Sequence, residues 1–230
     1  MRSISINRQT LRDSGNVIKR GLSYFYAHFI KFPLYILTHP IDGFYEMKHE
    51  SRGLLRVATF YLFLHSILGI LEFNYTGFLF NTLNPNTFRM FRSIVVALMP
   101  YLIFVVANWS ITSLMDGKGK FKEIYMVVGY AFFPSVILRI ANLFFSNYFT
   151  LDEAFFYYGI ETVGFILTII MIFMGIRSIH EYSVLRAVST VFLSILSMLV
   201  IVFIGLLALG LAQQIAVFVE TIIKEITLRL

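Results

Sequence analysis

Two charged residues lie inside apolar runs of this chain, Arg139 and Glu161, and they are the first place to look for chemistry. Ionisable groups within membrane spans are costly to insert and face protein or water, so they are functional candidates by default. Arg139 lies about six residues from the end of one run and Glu161 about six residues into the next, so an antiparallel hairpin brings them to similar depth. Two readings follow. The pair builds a polar cavity or proton-coupled site, or it is an ion pair, or two snorkelling groups, that lock neighbouring helices together. The scarcity of further acids and bases in the spans favours the second. His65 and Asn108 carry the same ambiguity, and a lone membrane histidine reads first as an interhelical hydrogen-bonding group.

Other chemistries lack their residues. With no cysteine in the chain, disulfides, thiolate metal sites and cysteine nucleophiles are excluded. His28, His39, His49 and His180 show no paired ligand spacing, and His180-Glu181 lacks the second histidine of a helical zinc-protease motif. No phosphate-binding loop, serine elbow or dinucleotide fingerprint is present. The expectation is a protein that is not an enzyme and carries no cofactor or metal.

The elements that position Arg139 and Glu161 are membrane helices. Hydrophobic residues make up 58% of 230 positions, charged residues 14%, and mean hydropathy is +0.77, far more apolar than a soluble domain with its roughly 25% charged residues. Five runs close to the ~20 residues needed to cross a bilayer are expected at about 54–71, 93–115, 124–145, 156–176 and 187–210. The fold class is an all-α polytopic membrane helix bundle. It divides into an interfacial N-terminal region, 1–53, a five-span domain, 54–210, and an amphipathic tail, 211–230.

Orientation follows from charge. The turn Asp116-Gly-Lys-Gly-Lys-Phe-Lys-Glu123 places Lys118, Lys120 and Lys122 between two apolar runs, as a cytoplasmic loop should. The loop at 146–155 has Asp152 and Glu153 but no lysine or arginine, and belongs outside. Most of the 19 lysines and arginines then fall inside, which explains the net charge of +6 without nucleic acid. The exceptions Arg89 and Arg92 make the 73–92 loop the weakest part of this assignment.

At the amino end Arg2, Arg8 and Arg12 precede any long apolar run, so no cleavable signal is expected and this end stays cytoplasmic. Ile18, Leu22, Phe25 and Phe29 recur at helical spacing beside Lys19, Arg20, His28 and Lys31. That basic, aromatic pattern suits a helix in the headgroup layer, contacting membrane lipids, which Pro33 should end or kink. At the other end, one helix from 184 to 230 would be roughly 70 Å long, more than twice a hydrocarbon core. Gln213, Gln214, Glu220 and Lys224 fall mostly on one helical face there, and Ile215, Phe218, Ile222 and Ile226 on the other. Five spans put this end outside.

The Gly117-Lys-Gly-Lys-Phe-Lys-Glu123 turn, followed by Gly129-Tyr-Ala-Phe-Phe-Pro134 and preceded by His39-Pro40, resembles the Yip domain family, whose name refers to Ypt/Rab-type GTPases. The likeness covers about residues 38–210 and is similar to the bacterial branch. It implies a non-enzymatic adaptor of the bacterial cytoplasmic membrane whose partner is another integral membrane protein, with ABC-type transporter subunits as the example the branch offers. The chain has no long acidic cytosolic segment with an Asp-Leu-Tyr-Gly-Pro element, so GTPase binding is not expected. Physically, Gly129 permits close helix approach, Tyr130 can hydrogen-bond across an interface and Pro134 frees a carbonyl. Lys118, Lys120, Lys122, Gly129, Tyr130, Pro134, Arg139 and Glu161 are therefore the candidate packing and partner residues, and the alternative is a small permease or channel using the region of Arg139 and Glu161.

Overall fold

The computed structural model describes residues 19–81 and 88–229. The arginines at 2, 8 and 12, Ile18 and the Asn84-Pro85-Asn86 part of the first interspan loop lie outside these residues. Among the described residues the chain is helical throughout, with no strand.

The first described element is helical from 19 to 38. Pro33 does not end it. A π-helical stretch, Tyr26–Lys31, precedes helix α1, Phe32–Thr38, and the Phe32 N–H reaches back to the Ala27 carbonyl. Pro33 has no N–H for the Phe29 carbonyl four residues back, and the Tyr61 hydroxyl donates to that carbonyl instead, while the widened turn takes up the irregularity. His39 then reverses the chain into α2, Pro40–His49, which again starts on proline. Asp42 in its first turn and Lys48 and His49 in its last complement the helix dipole. A Cβ at Gly43 would lie 2.8 Å from the Ile36 Cα, so glycine is what allows α1 and α2 to fold this tightly together.

Five helical segments follow that are long and apolar enough to cross a membrane. They are α3, Leu55–Tyr75; α4, Met90–Leu114; the pair α5, Phe121–Ala131, and α6, Phe133–Phe145; α7, Ala154–His180; and α8, Val184–Arg229. The third span is broken at Phe132 because Pro134 supplies no N–H to the preceding turn. It is the centre of the bundle: α5 packs on α3, α4 and α7, and α6 on α7 and α3. Of its most apolar window 67% is buried, against 6% for α8.

The core sits at the end of the bundle nearer the lysine turn, where Ile36 and Phe44 from the N-terminal hairpin meet Val57, Ile124, Val127, Ile176 and Ile179, all buried. Here α2 packs on α7. Gly175 of α7 abuts Val127 of α5 and would bring a Cβ to 3.2 Å from the Phe44 ring. At the opposite end, the Gly77 N–H donates to Ser146 Oγ at 3.0 Å and Asn147 Nδ2 donates to the Tyr75 carbonyl at 3.1 Å. The loop after the first span is thereby tied to the loop after the third.

The fifth apolar segment is longer than the sequence pattern required. It is one unbroken helix of 46 residues. It packs mainly on α4, through contacts such as Asn108 Nδ2 donating to Ser194 Oγ at 3.0 Å. Beyond residue 200 nearly every side chain is exposed.

Candidate functional site

The first polar site lies inside the bundle, between the first and third spans. Arg139, only 17% exposed, closes on Glu72 with two parallel hydrogen bonds, Nε to Oε1 at 2.7 Å and Nη2 to Oε2 at 2.6 Å. Its remaining Nη1 faces His65, 2.8 Å from Nδ1 and 3.1 Å from the backbone carbonyl. A guanidinium is planar and matches a carboxylate in this fork geometry. With arginine as donor, His65 Nδ1 is an acceptor, so its ring is neutral with the proton on Nε2.

This corrects the expected pairing. Glu72, read from sequence as the residue where the first span leaves the membrane, is the carboxylate that holds Arg139; no ion pair joins Arg139 to Glu161. Glu161 does line the same cavity of about 190 Å³, with His65, Tyr101, Ser135, Arg139 and Thr168. Matching depth in adjacent helices put Glu161 near the arginine, but the direction of the side chain from α6 points to α3.

The Gly129-Tyr-Ala-Phe-Phe-Pro134 element is buried between the same helices. A Cβ at Gly129 would stand 2.6 Å from Ala58 Cα and 2.7 Å from its carbonyl oxygen, so α5 and α3 touch backbone to backbone. One turn away in space, the Tyr130 hydroxyl accepts the Leu54 N–H at 3.1 Å, satisfying a donor at the start of α3 that has no intrahelical acceptor. Its ring meets Phe32 edge-on.

The second polar site is the lysine turn, which folds over the connection between α7 and α8. Gly119 N–H donates to His180 Nδ1 at 3.1 Å, and Lys118 Nζ donates to Glu181 Oε2 at 2.5 Å. His49 of α2 approaches the other oxygen of Glu181 at 3.5 Å. The hydrogen bond from Lys118 holds the Glu181 carboxyl below the ordinary carboxylate range. Lys48 Nζ donates to the Ile179 carbonyl at 2.6 Å, and the Tyr182 hydroxyl to the Met115 carbonyl at 3.1 Å. A Cβ on Gly119 would come within 2.8 Å of the His180 ring, which is why a small residue stands there. Lys120 uses its backbone instead, donating to Glu123 at 3.0 Å to start α5, and Lys122 is exposed.

Backbone strain is concentrated on this side. The positive-φ residues that are not glycine are Ser51, Asp116 and Glu181 among the described residues. Each lies in a different turn, between α2 and α3, α4 and α5, and α7 and α8. The sequence offered no sign that His180 and Glu181 would receive the lysine turn, because 61 and 63 residues separate the partners.

A helical membrane bundle organised around a broken third span, with its glycine–lysine turn seated on the next turn, defines the class. The Yip1 domain family model matches residues 34–208, and the chain belongs to that family. It is thus a multi-pass membrane protein. Searches of curated proteins and of solved structures return no match to it.

Proposed function

We propose that this Yip1-family protein is a non-enzymatic accessory or assembly protein that packs against an integral membrane partner in the bacterial cytoplasmic membrane, with its amino end in the cytoplasm and its carboxy end outside. The observation that carries this reading is α8. If its span begins near Arg186, about 20 residues exhaust the hydrocarbon core, yet the helix continues to Arg229 with Ile215, Phe218, Ile222, Ile223 and Ile226 exposed. An apolar face projecting past the bilayer calls for a protein to cover it. Subunits of ABC-type transporters are the partner that the family resemblance offers for such a face. The lysine turn leaves Lys120 and Lys122 exposed as docking contacts on the other side of the membrane.

A second reading, a small permease, is motivated by the cavity of about 190 Å³ that contains Glu161. Against it, Arg139 is already neutralised by Glu72, which leaves the cavity without an unpaired cation to receive a solute. Affinity purification in mild detergent, with and without residues 211–230, tests the accessory reading. A stoichiometric membrane partner should be recovered with the full chain and lost with the shortened one. No partner, together with solute flux by the purified protein in liposomes, would instead establish the permease.

A further inference from the structure

A second cavity, of about 460 Å³, opens beside the N-terminal hairpin. Its wall is formed by His28 and Lys31 from the π-helical stretch, Phe32 and Tyr35 from α1, Glu46 from α2, and Arg52. Arg52 stands two residues before Leu54, where the first span begins, so the cavity opens at the surface of the membrane on the lysine-turn side.

The charges in it are unequally committed. Both oxygens of Glu46 are engaged: Oε1 accepts the Tyr35 hydroxyl at 2.8 Å, and Oε2 is held by Arg52. The hydrogen bond from Tyr35, followed by the Arg52 contact, lowers the Glu46 carboxyl below its ordinary range, so it stays ionised and its charge is spent on Arg52. Arg52 also lies over the Phe32 ring, 5.6 Å from its centroid, which fixes its position. Lys31 has no ion pair among the described residues, and His28 packs its ring against Tyr24. The cavity is left with a net positive charge.

Tyr26, Ile30 and Leu34, outside the cavity lining, are exposed on the same helical stretch that carries Lys31. Cations on the cavity wall and exposed apolar side chains along the same helix match a molecule with an anionic head and hydrocarbon tails. The π turn is the third feature. Widened turns recur at functional sites, and this one places His28 and Lys31 together on the cavity wall while the Tyr61 hydroxyl holds the Phe29 carbonyl from the other side.

We propose that this cavity binds the phosphate of an anionic phospholipid headgroup, with Lys31 as the free cation and His28 and Arg52 beside it. The binding rests on the protein's insertion in a membrane and is independent of whether it serves a transporter. The experiment is native mass spectrometry of the full chain in neutral detergent, with phosphatidylglycerol, phosphatidylcholine, glycerol phosphate and inorganic phosphate added in turn. Phosphatidylglycerol should be retained over phosphatidylcholine, and the double variant His28→Gln/Lys31→Gln should lose about fivefold of that preference, as expected for one surface cation facing an anionic lipid. Arg92→Gln, at an exposed position near the start of α4, should leave it unchanged. Equal retention of the two lipids by the wild-type protein would overturn the proposal, even if the double variant could not be purified. So would a folded double variant with undiminished preference. Displacement of the lipid by inorganic phosphate at equal concentration would reassign the cavity to free phosphate.

Discussion

Arg139 and Glu72 meet in a two-pronged hydrogen bond across 67 residues of sequence, joining the third span to the first near their shared end. Removing one member leaves a charge in a largely apolar setting, which typically costs about 3 kcal/mol or more, whereas removing both abolishes the need for either. Glu72→Gln should therefore lower the thermal midpoint in detergent, and Arg139→Leu/Glu72→Leu should recover much of the loss. Glu161→Gln, which breaks no ion pair, should change stability by only about 0.5 kcal/mol. A Glu161 variant as damaging as the Glu72 variant would show that the cavity carboxylate shares the arginine.

Gly129 has no room for a side chain against Ala58. Gly129→Val should separate α5 from α3 and destabilise the bundle by about 1–3 kcal/mol, the usual range for overpacking. Gly159, which faces open space, is the control. Equal melting of the Gly129→Val and Gly159→Val proteins would mean that the helices can part at little cost.

In the lysine turn, shape should outweigh charge. The Lys118–Glu181 pair is exposed and screened by water, so Lys118→Ala should be mild. Gly119→Val collides with the His180 ring and should release the turn, raising amide hydrogen exchange across 116–123. Acid should release it too. Glu181 has a lowered folded-state pKa, so its contribution is present above the ordinary carboxylate pKa and is lost as pH falls through the depressed value. Exchange that is flat from neutral pH down through the carboxylate range, after correction for intrinsic rates, would remove Glu181 from the lock.

If each of the five long apolar helices among the described residues crosses the membrane, the two ends of the chain lie on opposite sides of it. Reporters fused at each terminus should give opposite signals, the amino-terminal one cytoplasmic. Matching signals would mean that one apolar helix does not cross.

The spans could be read from sequence because each is an apolar run of nearly bilayer length, a property that needs no knowledge of neighbours. Pro134 was legible for a similar local reason, and the break at Phe132 lies where its missing donor puts it. Arg139's partner was not. Glu72 looked like a residue leaving the membrane, and only the packing of α6 on α3 shows that the guanidinium turns toward it. The contact of the lysine turn with His180 and Glu181 was hidden likewise, since charge bias orients a loop but says nothing about what the loop rests on. Of the two outcomes expected at Pro33, an end or a kink, the end does not occur: the helix continues to Thr38, with a widened turn, Tyr26–Lys31, just before the proline.

The reach of α8 has a mechanical consequence. One part of this helix is gripped by α4 while the remainder, past residue 200, touches almost nothing. At roughly 69 Å long, it works as a pointer. With roughly 44 Å of helix past residue 200, a tilt of only about 5° where it is gripped would sweep its far end through ~4 Å, most of the rise of one helical turn. Small rearrangements around Asn108 and Ser194, where the grip is hydrogen-bonded, would thereby be magnified at the carboxy-terminal tip.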